Sequence, residues 1–138
     1  MDLLTPLEVK QHWPHLSELL GRAIKYNRGE MAVEDIPELV DRGQMAVVVW
    51  RSEGRIDLAL AFELKVLPRK RLLNVAYAGG RGLKRLFEDR DQLLAIANKL
   101  QADAVECSVR PAMAELLSRI GPVAQYQYTV LEWTVAAN

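Results

Sequence analysis

Residues 72–121 read LLNVAYAGGRGLKRLFEDRDQLLAIANKLQADAVECSVRPAMAELLSRIG. The pattern predicts a strand over 72–78 and a glycine turn at Gly79, Gly80, Arg81 and Gly82. A long helix follows, then a second strand over 104–109 and a second helix closed by Gly121. Alternation places Leu73, Val75 and Tyr77 on one strand face. Leu83, Leu86, Phe87, Leu94, Ala97 and Leu100 mark the inner side of the first helix. Pro111 opens the second, with Met113, Leu116, Leu117 and Ile120 as its apolar stripe. The chain's one glycine cluster thus falls at a strand-to-helix corner. Backbone N–H groups exposed at such a corner favour an anionic guest.

Upstream, the pattern supplies what this unit needs for cover. Thr5, Pro6 and Glu8 form a helix start, with Thr5 as N-cap and Glu8 completing a capping box. Pro14 interrupts or restarts that helix. Leu16, Leu19, Leu20, Ala23 and Ile24 recur at helical spacing. A shorter helix over 33–42 carries Ile36, Leu39 and Val40. Residues 45–51, rich in valine and ending in Trp50, read as a buried strand, turning at Ser52-Glu53-Gly54 into a return strand over 55–67. There Leu58, Leu60, Phe62, Leu64 and Val66 alternate with Ala59, Ala61, Glu63 and Lys65. The basic turn Pro68-Arg69-Lys70-Arg71 reads as a solvated hairpin tip, with a phosphate or nucleic-acid contact as the alternative. Residues 126–135 alternate as a last strand.

The element order is α-α-β-β-β-α-β-α-β. It implies an α/β (α+β) domain spanning 1–138, with a mixed, mostly antiparallel sheet and helices on both faces. At 138 residues the chain fits one domain. Eighteen basic residues balance eighteen acidic ones, which removes the footprint of a dedicated nucleic-acid binder. Cys107 is the only cysteine, so no disulfide framework or cysteine-based zinc site is expected. It reads as a small core residue, and a reducing cytoplasm fits. No apolar run reaches membrane-span length, and no secretion signal opens the chain. His12 and His15 flank Trp13-Pro14 with no carboxylate or thiol placed to complete a metal site. Trp13, Trp50 and Trp133 read as core anchors.

This order, with the glycine corner after a three-strand meander, resembles the GNAT N-acetyltransferase fold over nearly the whole chain. Val105-Glu106-Cys107-Ser108-Val109-Arg110-Pro111, continuing to Leu116-Leu117-Ser118-Arg119-Ile120-Gly121, is similar to a strand-Arg-helix-Gly segment of small GNAT-like bacteriophage and prophage proteins. Met113 stands where that pattern often has an aromatic. The resemblance implies acetyl-CoA in a cleft where the strands over 72–78 and 104–109 splay apart. It assigns the pantetheine arm to Val75, Tyr77 and Ala78. The pyrophosphate falls to Gly79, Gly80, Arg81, Gly82, Leu83 and Lys84, with charge from Arg81, Lys84 and Arg85. Arg110 is a further candidate for a phosphate or acyl carbonyl, or else a brace paired with Glu106 or Glu115. The turn departs from the family's Arg/Gln-x-x-Gly-x-Gly/Ala: Arg81 is followed directly by Gly82. A shifted register for phosphate and an ordinary strand-to-helix turn both remain open.

Acetyl transfer to an amine needs a base for the ammonium and an acid for the departing thiolate. Glu63, a carboxylate in an apolar strand, is the candidate base; a surface position paired with Lys65 is its bland alternative. The tyrosine acid that the family often carries on the helix over 111–120 is missing. Ser118 is the hydroxyl there, and Tyr126 is another candidate from the last strand. Two functions follow. One is an acetyl-CoA-dependent enzyme acting on a small-molecule or protein amine. The other is an inactive GNAT-like phage protein, virion-associated or host-interacting, in the host cytoplasm or the virion, with other proteins as partners.

Overall fold

The computed structural model describes residues 1–24, 29–82, 84–108, 115, 118 and 130–135. The sheet grows from one hairpin. Strand β2 (Met45–Ser52) and β3 (Arg55–Val66) pair antiparallel from Met45↔Glu63 to Ser52↔Arg55. Glu53 and Gly54 turn between them with φ 52° and 79°, the left-handed pair that suits hairpin twist. Strand β4 (Arg71–Gly80) runs antiparallel along β3, and β5 (Ala104–Cys107) runs parallel along β4. A two-residue β1 (Asp2–Leu3), absent from the sequence reading, closes the far edge, giving a five-stranded sheet in the order β1-β2-β3-β4-β5.

Period-two alternation in β2 and β3 feeds two cores. Val47, Val49, Ala59 and Ala61 face helices α1 (Pro6–Gln11), α2 (Trp13–Ile24) and α3 (Ile36–Asp41), where Val9, Leu16, Leu20 and Ile36 are buried. Val48, Trp50, Leu58, Leu60 and Phe62 face the opposite way and meet Leu93 and Ala97 of α5 (Arg90–Lys99). The architecture is the mixed, mostly antiparallel α+β sheet with helices on both faces. Each fully buried leucine or valine contributes about 1.5–3 kcal/mol relative to exposure. The capping box forms: Glu8 N–H donates to Thr5 Oγ1 at 3.2 Å and Thr5 N–H to Glu8 Oε1 at 3.0 Å.

Several expectations are corrected. The helix after the glycines is two pieces, α4 (Arg85–Glu88) and α5, because Asp89 breaks it at φ −100°, ψ 22°. The Asp89 carboxylate accepts the Trp50 indole N–H at 2.7 Å. The break resets the helical phase, so Leu93 turns inward and Leu94, expected inside, is exposed. The helix over 33–42 begins as a 3-10 turn, Val33–Asp35. Cys107, expected in the core, is exposed. Residues 130–135 lie outside any strand, and Trp133 is exposed rather than a core anchor. The expected helix over 111–120, Ser118 and Glu115 apart, and residues 126–129 fall outside the described residues.

Candidate functional site

The site is built by one extra residue. Along β3 and β4, Ala61 stands opposite Tyr77, but Phe62 stands opposite Val75. Ala76 is therefore a bulge on β4. A bulge kinks a strand and re-aims its side chains. Val75 and Ala78 pack on the α5 face, whereas Ala76 and Tyr77 both pack on the α2 face. This corrects the expected shared face of Leu73, Val75 and Tyr77, which assumed unbroken alternation.

The described pairing with β5 reaches the same point. Among the described residues the parallel ladder runs Leu72↔Ala104, Leu73↔Val105, Asn74↔Glu106 and Val75↔Cys107. Strand β4 continues for residues 76–80 with no strand on that edge among the described residues. Backbone polar groups on such an edge require a partner. Below the kink, Lys65 Nζ pairs with Glu106 Oε1 at 2.9 Å.

The glycine corner differs from a free turn. Gly79 and Gly80 belong to β4, opposite Ala59 and Leu58. A Cβ on Gly79 would stand 1.9 Å from the Leu19 carbonyl oxygen of α2. One on Gly80, at φ +124°, would stand 2.1 Å from the Asp57 carbonyl oxygen. These two glycines admit the neighbouring backbones of α2 and β3. Gly82 (φ +75°) lies beneath the Arg85 side chain.

Arg85 is also reassigned. Its guanidinium reaches the Asp57 carboxylate at 2.9 Å, the Arg81 carbonyl at 2.5 Å and the Gly82 carbonyl at 3.3 Å, and donates to Ser52 Oγ at 3.3 Å. Its charge is spent bracing the corner against the β2–β3 hairpin. Ser52 Oγ–H donates to Asp57 at 2.7 Å. That hydrogen bond, with Arg85 after it, holds the Asp57 carboxyl below its ordinary range. Asp57 escaped sequence reasoning; its only signal was a charge between Ile56 and Leu58 in an apolar strand.

Two amides of the corner are committed: Arg81 N–H donates to the Asp57 carbonyl at 2.8 Å and Arg85 N–H to the Gly82 carbonyl at 2.9 Å. The Gly82 and Lys84 N–H groups make no hydrogen bond to a described residue. The Arg81 and Lys84 side chains stand in the open. Helix α4 is a single turn, so its dipole adds little. The groups left uncommitted to described partners at this corner are the Gly82 and Lys84 amides, beside the exposed Arg81 and Lys84 side chains.

On the opposite side of β4, Glu63 is exposed and stands across from Asn74 and Met45. It lines a 420 Å³ groove together with Ala76 and Tyr77, the two residues that the bulge turned toward α2. Structure thus brings Glu63 and Tyr77 to one concavity, and puts Val75 and Ala78 on the other face of the kink. Ser118 Oγ–H donates to the Glu115 carbonyl at 2.7 Å, within its own turn. Leu83, Arg110 and Tyr126 lie outside the described residues. His15 Nε2–H donates to the Ile56 carbonyl at 2.6 Å, a structural use. No metal-ligand cluster occurs among the described residues. Nor is any of their helices long and apolar enough to cross a membrane.

No protein-family model matches the chain, and no curated protein sequence does. Solved structures match throughout. An aminoglycoside acetyltransferase from an uncultured soil metagenomic sample, in complex with sisomicin, superposes with a TM-score of 0.69 at 14% identity, covering 98% of this chain and 95% of that one. A ribosomal-protein-alanine N-acetyltransferase from Brucella melitensis biovar Abortus 2308 gives 0.64 at 16%, over 96% and 97%. A Trypanosoma brucei acetyltransferase gives 0.61 at 13%, over 96% and 97%. At such identities the likeness is one of fold. The five-stranded, mostly antiparallel sheet with its helices, superposing on these enzymes along nearly the whole chain, gives the chain the GNAT acetyltransferase fold.

Proposed function

We propose that the chain is an acetyl-CoA-dependent N-acetyltransferase acting on an amine. The observation that carries this reading is that, among the described residues, the β4–β5 ladder extends no farther than Val75↔Cys107 while β4 runs on to Gly80. The open edge over residues 76–80 offers backbone donors and acceptors to an extended amide-bearing arm, as a strand would. Val75 and Ala78 line its α5 side. The Gly82 and Lys84 amides, with the Arg81 and Lys84 side chains, are the groups that would hold a diphosphate. Leu83 and Arg110 remain candidates at the same corner. Gly79 and Gly80 belong to this edge and also let α2 and β3 close on β4.

Acetyl-CoA, when bound, supplies a thioester carbonyl and a thiol leaving group. The chain's own contribution lies on the groove side of the kink. Glu63 accepts the proton of the incoming ammonium, directly or through water, so that the amine attacks as a neutral nucleophile. The amine nitrogen then forms a bond to the thioester carbon as the carbon–sulfur bond breaks and the thiolate leaves. Tyr126 and Ser118 stay candidates for the proton that the thiolate takes up. Nothing in the fold or the comparisons favours the virion-associated alternative.

The test is calorimetric titration with CoA and acetyl-CoA, followed by thiol release in the presence of an amine panel. Saturable binding with amine-dependent thiol release is the expected result. Binding without turnover removes the catalytic half of the reading, and absence of binding removes all of it.

A further inference from the structure

Asp57, on β3, grips the glycine corner twice. Its carbonyl accepts the Arg81 N–H at 2.8 Å, and its carboxylate Oδ1 stands 2.9 Å from Arg85 Nη2. Ser52, at the end of β2, closes a ring behind this pair. Its hydroxyl donates to Asp57 Oδ2 at 2.7 Å and accepts from Arg85 Nη1 at 3.3 Å. The Arg85 and Asp57 side chains keep only 22% and 29% of their surface exposed, so salt screens this pair less than an open one. The ring in turn holds backbone. Arg85 Nη2 also donates to the Arg81 carbonyl at 2.5 Å, and Nε donates to the Gly82 carbonyl at 3.3 Å. The peptide joining Arg81 to Gly82 is trans, so its N–H lies opposite its C=O. With that carbonyl turned to the guanidinium, the Gly82 N–H is turned away from it. This amide therefore owes its direction to the Arg85 side chain.

We infer that Asp57 is a positioning residue for a bound diphosphate, which the acetyl-CoA reading above supplies: by fixing Arg85 it fixes the Arg81–Gly82 peptide, and with it the direction of the Gly82 N–H. Asp57 itself touches no phosphate in this role. A donor whose direction is set before the ligand arrives needs no ordering on binding. Bare charge argues the opposite sign. Asp57 is an anion beside a site for anions, and it occupies a guanidinium that would otherwise fork onto phosphate. Removing its charge raises the positive potential of the corner and releases Arg85. On charge alone, Asp57→Asn binds phosphate more tightly. With Asp57 as the positioning residue it binds more weakly, because Arg85 is no longer held against the two carbonyls and the Gly82 N–H loses its set direction.

The experiment titrates the 15N-labelled parent, Asp57→Asn and Ser52→Ala proteins with inorganic pyrophosphate, with CoA, and with pantetheine, which carries the same arm and no phosphate. The Gly82 amide resonance reads the corner. The expected result is a saturable Gly82 shift by pyrophosphate in the parent, with affinity about tenfold weaker in D57N. Ser52→Ala changes no charge and is expected to weaken pyrophosphate about threefold by loosening the same ring. CoA follows the same order, and pantetheine binds all three proteins alike. Unchanged or tighter pyrophosphate binding by D57N overturns the inference. So does an equal loss of pantetheine affinity, which marks a general defect of the fold, and so does a parent whose Gly82 amide no pyrophosphate moves. If D57N does not fold, S52A decides by the same criteria. The parent separates the two levels. Pyrophosphate binding without CoA binding removes acetyl transfer and leaves the positioning role. CoA shifts at residues 76–80 with an unmoved Gly82 keep the cofactor reading and remove that role.

Discussion

The Leu19 carbonyl oxygen fills the space that a side chain on Gly79 would need; the two would stand 1.9 Å apart. Both atoms belong to rigid backbone, one in α2 and one in β4, so neither yields cheaply. Gly79→Ala is expected to destabilise the fold by about 3 kcal/mol through overpacking. Gly54→Ala is the control: a Cβ there meets nothing within 4 Å, and only its φ of +79° is unfavourable, for about 1 kcal/mol. Urea midpoints of the two variants check the ordering.

Asp57 predicts a pH dependence of stability. The Ser52 hydroxyl, then Arg85, lowers its folded pKa. Its stabilising contribution is accordingly complete above the unfolded carboxylate value of about 3.9, and fades as pH falls through the lower folded value. Asp57→Asn is expected to be less stable than the parent near pH 7, with the difference shrinking on acidification below about pH 4. Denaturant melts of both proteins across that range check the sign.

Lys84 stands exposed beside an amide with no described partner, whereas Arg85 is tied to Asp57. Lys84→Ala is expected to weaken CoA binding about fivefold, equivalent to roughly 1 kcal/mol, and to reduce its salt dependence. Arg85→Ala is expected to lower stability as well, because four partners of its guanidinium are lost together. Calorimetry at two salt concentrations, paired with thermal melts, separates a ligand contact from a brace.

Glu63→Gln is expected to lower amine-dependent thiol release by about 10²–10⁴-fold, the range for loss of a general base, with acetyl-CoA affinity unchanged. Equal loss of cofactor affinity would place Glu63 outside the proton-transfer role. Steady-state kinetics with a direct binding measurement makes the distinction.

Much of the fold was legible because its causes are local. The Thr5–Pro6–Glu8 capping box, the Glu53-Gly54 turn and the alternation of β3 each sit in a few consecutive residues and appear in the structure as read. What escaped the sequence depends on partners far along the chain. The bulge at Ala76 exists only in register against Ala61 and Phe62, and nothing in Asn74-Val75-Ala76-Tyr77 announces it. The helix break at Asp89 answers to Trp50. Gly79 and Gly80 look like turn residues on composition; their reasons are the approaching Leu19 and Asp57 backbones. The site was half legible in the same way. Residue types suited to an anion and an amine could be named, but which of Arg81, Lys84 and Arg85 keeps a usable charge was settled by Asp57, more than twenty positions upstream.

The central claim is that the edge of β4 beyond the bulge is a docking strand for an extended, phosphate-ended ligand. The most direct measurement is amide NMR of the 15N-labelled protein titrated with CoA. The account predicts saturable shifts at residues 76–80 of β4 and at Gly82 and Lys84, with β2 unmoved. A spectrum unchanged by millimolar CoA, or shifts confined to residues away from this edge, would contradict it.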